Sequence, residues 1–162
     1  EWFGGITNSF QFYGVDLSFM FQFSMGNEVY NATRMFCTQS QDERSNAMGE
    51  LRDRWTPTNA SNKVPSVDGY VKYDVYSRFI EDGSFLRLKN LTLGYTIPEK
   101  LTRRIHVSKL RVYGTATNLF CLTKYSGYDP EVSTKSSPLM PSFDWGAYPR
   151  AKTFTLGLEL QF

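Results

Sequence analysis

The sequence predicts an all-β fold, an antiparallel up-and-down transmembrane β-barrel wall with long extracellular loops. Three observations predict it. Residues 154–162 (FTLGLELQF) alternate without a break, with Phe154, Leu156, Leu158, Leu160 and Phe162 on one face and Thr155, Gly157, Glu159 and Gln161 on the other. At the chain's 41% apolar content, chance produces such a run in about one window in seven hundred, so the two-residue period is real. The run also ends on an aromatic, where a soluble chain usually frays into water and a closing barrel strand stays regular. Finally, tight turns take turns with long irregular stretches, the asymmetry of a barrel with short inner turns and long outer loops.

Composition agrees. The 162 residues suffice for one ordinary domain, and 13 Phe, 10 Tyr and 3 Trp make it 16% aromatic. Mean hydropathy is −0.39, and no apolar run approaches the roughly 18 residues of a membrane helix. Barrel strands escape that test, because only alternate residues face lipid. A net charge of +2, with no basic stripe among the aromatics, gives no footprint for nucleic acid. Residues 1–4 (EWFG) already look like strand rather than a secretory signal, so targeting information is expected upstream. Two cysteines, Cys37 and Cys121, are too few for a disulfide framework or a zinc cluster; one bridge or two thiols both remain open.

The elements follow in order. A first strand, about 2–12, carries Trp2, Ile6, Phe10 and Phe12 on even positions. Tyr13-Gly14 supplies a tight hairpin turn, glycine being free to take positive φ. In a second strand, about 15–25, Val15, Leu17, Phe19, Phe21 and Phe23 oppose Asp16, Ser18, Gln22 and Ser24, with Met20 the exception. A long loop, about 26–83, loses the period. It holds a polar cluster over 38–46, turn signals at Pro57, Pro65 and Asp68-Gly69, and a short helix around 46–55. The third strand, about 85–97, places Leu91, Leu93, Tyr95 and Ile97 together, and its phase slips near Lys89-Asn90 as at a bulge. After a short basic connection, a fourth strand, about 108–117, sets Leu110, Val112 and Ala116 against Lys109, Arg111, Tyr113 and Thr115. A second long loop covers about 118–148, and the final strand about 150–162. Five strands are too few to close a transporting barrel, so the wall is expected to continue elsewhere.

Residues 83–98 (GSFLRLKNLTLGYTIP) resemble the penultimate hairpin of the SusC/RagA family of TonB-dependent outer-membrane transporters, found in Bacteroidetes. The likeness continues through residues 110–120 (LRVYGTATNLF), 123–132 (TKYSGYDPEV) and Tyr148-Pro149-Arg150 before the final strand. The opening hairpin, and Arg54-Trp55-Thr56-Pro57 with Asn59, are similar to the family too; residues 35–46 match nothing in it. The resemblance implies that residues 1–162 are the last five strands of a barrel of about 22 strands. It further implies an N-terminal plug, energisation by TonB, a SusD-like surface lipoprotein as partner, and import of oligosaccharides or peptides. Plug, TonB-contacting segment and signal peptide are not among these residues.

Candidate residues fall in three groups. The final strand (Phe154, Leu156, Leu158, Leu160, Phe162) resembles the terminal signal read by the outer-membrane assembly machinery, which would engage its edge by β-augmentation. Equally, Phe162 would simply fill the lipid face. Loop aromatics offer rings to a sugar or a protein partner, with Trp55, Tyr125, Tyr128 and Trp145 as the main candidates and Tyr70, Tyr73, Tyr76, Phe79 and Tyr148 beside them. The plainer reading is loop self-packing or an interfacial aromatic girdle. The charged Lys109 and Arg111 would face the lumen, solvated or tuning passage.

No catalytic, cofactor or metal site is predicted. Asp129 and Glu131, like Asp42 and Glu43, lack the spacing of a calcium loop, and Asp129-Pro130 reads as a turn. His106 has no nucleophile or carboxylate pattern around it. Two other readings stay open, a soluble β-sheet carbohydrate-binding or interaction module, and a passive outer-membrane porin.

Overall fold

The computed structural model describes residues 1–39, 46–61, 63–66, 76–103, 106–135 and 141–162. The chain divides into two compact units. Residues Glu1–Asn27, Ser84–Lys124 and Arg150–Phe162 form a wall unit, and Glu28–Gly83 with Tyr125–Pro149 form a loop unit.

The wall unit is a five-stranded antiparallel sheet in which each strand pairs with its neighbour along the chain. Its strands are β1 (Trp2–Phe12), β2 (Val15–Met25), β5 (Phe85–Thr96), β6 (Lys109–Thr123) and β8 (Thr153–Gln161). At 9 to 15 residues, these strands have the length that crosses a bilayer at a tilt. Tyr13 and Gly14 close the first hairpin with φ of 46° and 83°, the two positive values a two-residue turn of matching twist requires. A side chain at Gly14 would also meet the Thr96 carbonyl, placing its Cβ 2.7 Å from that oxygen. The short connection from β5 to β6 contains a single helical turn, α2 (Glu99–Thr102).

The slip at Lys89 is a bulge, as its phase implies. Opposite β2, Phe21 pairs with Leu88 and Met20 with Asn90, so Lys89 is the extra residue. The irregularity continues into β6, where Leu88 pairs with Phe120 and Asn90 with Thr117. Asn118 sits in that gap with φ of 51° and donates its amide to the Ala151 carbonyl at 3.1 Å. This explains one boundary that differs from expectation. A polar Asn in the apolar phase ends the sequence pattern at Thr117, whereas β6 runs on to Thr123. The final strand is shorter than expected, starting at Thr153 rather than 150.

The loop unit is more ordered than its irregular sequence suggests. It contains a small sheet of β3 (Glu28–Asn31), β4 (Ile80–Asp82) and β7 (Phe143–Asp144), with β3 central. An unanticipated helix, α1 (Ala32–Gln39), follows β3 directly. Asn31 caps it, its side-chain oxygen accepting the Arg34 N–H at 2.8 Å. The helix expected around 46–55 is a 3₁₀ segment, Gly49–Asp53. Ala32, Met35 and Phe79 make the unit's apolar centre, with Tyr30, Tyr76 and Phe143 packed around it. Cys37 and Cys121 are thiols and no disulfide joins them.

Candidate functional site

Residues paired across antiparallel strands share a face of the sheet. In the wall unit this builds rows of one character. Phe10, Leu17, Leu93, Gly114 and Leu156 form one row, and Phe12, Val15, Tyr95, Val112 and Leu158 the next on that side. Most of these residues are exposed, Leu156 being 88% and Leu93 55% exposed, while Leu17 is half-buried. So broad an apolar surface marks a contact with a membrane or another protein.

The opposite face is polar and bonded to itself. Ser9, Ser18, Thr92, Thr115 and Thr155 form a hydroxyl row, in which Ser9 meets Ser18 and Thr92 meets Thr115, each at 3.1 Å. Beside it, Arg111 donates Nε and Nη2 to the two carboxylate oxygens of Asp16 at 2.9 and 2.6 Å. This fork spans β5, and Gly94 leaves the room, since a Cβ there would lie 2.5 Å from Asp16 Oδ1. Glu159 accepts from Lys109 at 2.8 Å and lies 3.6 Å from Arg111, whose guanidinium rests 4.9 Å from the centre of the Tyr113 ring. Lys109 and Arg111 thus sit in an ion-paired cluster rather than as bare cations.

A second polar network holds the loop unit. Glu81, on β4, accepts from Ser126 N–H and Oγ at 2.9 and 2.8 Å, from Arg34 at 3.0 Å and from Asn31 at 3.2 Å. Arg34 also forks onto Glu50 at 3.1 and 2.8 Å. Burial pushes the Glu81 carboxyl upward, but the bonds from Ser126 and Arg34 outweigh it and hold its pKa below the ordinary range. The bonds to Glu50, aided by Glu81, raise Arg34 despite its burial. Tyr125 donates to Asp144 Oδ2 at 2.6 Å. Burial first, and that bond second, push the Tyr125 phenol well above its usual value. Residues 28–83 and 125–149 are therefore tied into one body by side chains from both stretches.

No family model matches the chain. Over 98% of its length it is 32% identical to TonB-dependent receptor P3 of Formosa agariphila and 33% identical to TonB-dependent receptor SusC of Bacteroides thetaiotaomicron. The RagAB peptide importer, solved in its open-open state, superposes on 99% of the chain with a TM-score of 0.83 at 30% identity. The chain belongs to the SusC/RagA-like TonB-dependent receptors. It spans 16% of the P3 receptor, 15% of SusC and 17% of the matched RagAB chain. Its antiparallel sheet corresponds to part of a TonB-dependent receptor's barrel-like fold.

In this receptor segment the predicted loop aromatics separate by environment. Tyr125 is only 5% exposed and bonded to Asp144, and Phe79 is fully buried. Neither offers a ring to a ligand; both build the loop unit. Aromatic residues look alike in sequence whether they serve a core or a surface, so the pattern alone could not sort them. Tyr128 is 78% exposed, and Trp55 and Tyr148 also reach solvent. Trp145 is half-exposed at the end of a ring column: it lies parallel to Phe143 at 6.4 Å, and Phe143 stacks on Tyr30 at 5.5 Å. Tyr70, Tyr73, Asp42 and Glu43 lie outside the described residues.

Sequence reasoning passed over the residues that organise the unit, Asn31, Arg34, Glu81 and Asp144. Asn31 three residues before Arg34, opening a run of helix formers, was the available signal. Asp129 accepts the Glu131 N–H at 3.0 Å, the turn its sequence suggests. Among the described residues no cluster of His, Cys, Asp and Glu is arranged to hold a metal ion.

The outward side chains of β8 (Phe154, Leu156, Leu158 and Leu160) are all exposed on the apolar face, as is Phe162 just beyond it.

Proposed function

We propose that the chain forms part of the wall and outer loops of an outer-membrane, TonB-driven importer, one that takes up oligosaccharides or peptides with a SusD-like surface lipoprotein. The carrying observation is the two-faced wall, apolar on one side and ion-paired on the other, on a meander of strands long enough to span a bilayer. The apolar face turns to lipid, and the exposed Trp2, Phe12 and Tyr13 near the strand ends suit the interfacial girdle. The cluster of Asp16, Lys109, Arg111 and Glu159 faces the lumen. The five strands belong to a closed barrel of about 22. The loop unit lies on the outer side of the membrane, where Trp55, Tyr128 and Trp145 contact substrate or lipoprotein. The last strand serves the assembly machinery as its recognition edge.

Membership of this family supports transport rather than catalysis as the role. The test is uptake by cells of the source organism, with labelled oligosaccharides and labelled peptides supplied separately. Deleting the gene that carries this chain should abolish uptake of one class, and so should disabling TonB. Uptake that survives loss of TonB would point instead to a passive porin. Recovery of the protein in the soluble fraction without detergent would point to a soluble module. Co-purification of a surface lipoprotein with the detergent-extracted receptor tests the partner.

A further inference from the structure

The apolar face of β8 cannot by itself choose the register of that strand. Leu156, Leu158 and Leu160 occupy three successive outward positions opposite Gly114, Val112 and Leu110. Sliding β8 by two residues keeps every outward side chain outward and replaces leucine by leucine, or by Phe at an end. Slips by one residue are excluded, because they would turn this face inward. Slips by two are not.

The polar face does distinguish them. Gly157 pairs with Tyr113, and the Tyr113 ring lies over it so closely that a Cβ at 157 would fall 2.3 Å from the ring carbon Cζ. Arg111 covers the same ring at 4.9 Å and reaches Glu159 at 3.6 Å. A two-residue slip one way sets Thr155 under the ring; the other way sets Glu159 there. Either displaces the ring from its socket and parts Arg111 from its direct partner Glu159. The same construction recurs one strand over, where Gly94 is the socket beneath the Asp16–Arg111 fork.

We infer that Gly157, filled by Tyr113 and flanked by Glu159, is the register lock of the last strand. The apolar face decides which side of β8 meets lipid, and this socket decides which residue meets which.

Cysteine pairs in the full-length receptor, assembled in outer membranes with Cys37 and Cys121 changed to Ser, read the register directly. Thr115→Cys with Thr155→Cys reports the native pairing. Thr117→Cys with Thr155→Cys, and Thr115→Cys with Thr153→Cys, report the two slips. With the socket intact only the native pair should oxidise to a disulfide. Combining Tyr113→Ser with Glu159→Gln removes the lock without adding bulk, and at least one slipped pair should then cross-link to an extent comparable with the native one. A second variant moves the lock two residues along β8 (Thr155→Gly, Gly157→Glu, Glu159→Thr); there the native register is read by Thr117→Cys with Thr153→Cys, and Thr115→Cys with Thr153→Cys should become the dominant product. Native-only cross-linking in both variants overturns the inference. So does failure of the first variant to assemble, since its apolar face and backbone ladder are untouched.

Discussion

The wall unit and the loop unit are held together by opposite means. In the wall, almost every residue has a ladder partner and the side chains need only alternate; no deep apolar core forms, and most large apolar side chains remain exposed. In the loop unit the strands are two to four residues long, too short to stand alone. Order there comes from a small buried centre at Ala32, Met35 and Phe79, and from carboxylates that collect several donors each. A repetitive scaffold spreads its stability over many equivalent bonds. An irregular one concentrates it in a few residues, and damage there is correspondingly local.

Substitutions at four positions and one titration would break or sharpen that contrast. The largest effect is expected from Phe79→Ala, which empties the fully buried centre of the loop unit and should cost about 3–5 kcal/mol of that unit's stability. Limited proteolysis of the assembled receptor should then cut within 28–83, while β1, β2, β5, β6 and β8 stay protected. Next comes the wall. Leu156→Arg places a charge on the apolar face and, with that face in lipid as proposed, should cost about 2–4 kcal/mol, whereas Thr155→Arg on the polar face should cost far less. Urea unfolding in bilayers, followed by gel mobility, measures the difference; equal costs would mean that the two faces do not differ in surroundings. Glu81→Ala strands the donors of Arg34, Asn31 and Ser126 and should cost about 1.5–3 kcal/mol, seen as faster amide exchange at Ser126 and in α1.

The smallest effect is on pH dependence. Glu81 titrates below its ordinary value of 4.5 when folded, so the unfolded chain takes up its proton first. Its stabilising contribution is complete above pH 4.5 and drains away as the pH falls through the lower native value. Tyr125 behaves in the opposite sense. Its folded value lies above the ordinary 10.0, so its contribution is complete below pH 10 and is lost as the pH rises past that point. Loop-unit exchange should accelerate at both extremes, and the Glu81→Gln variant should lose the acid limb alone.

The same contrast explains what could be read from sequence. Strand existence, the Tyr13-Gly14 turn and the bulge at Lys89 were legible, because a period of two and its interruptions are written in consecutive residues. The end of β6 was not, because Asn118 interrupts the apolar pattern while the backbone pairing to β5 continues through it. Helix α1 escaped because its eight residues are too few to establish a helical period and its cap is a lone Asn. Glu81 and Ser126 are 45 residues apart, and nothing local tells either that it has a partner. Trp145 and Tyr125 were equally plausible as surface rings; only the fold shows one half-exposed and the other bonded to Asp144.

The central claim is that one face of the wall meets lipid and the other does not. Spin labels placed singly along residues 16–23 of β2, in receptor reconstituted into bilayers, test it most directly. Oxygen accessibility should be high at 17, 19, 21 and 23 and low at 16, 18, 20 and 22, with the nickel chelate showing no such maxima on the odd positions. A flat profile along β2, or one with the even positions facing lipid, would contradict it.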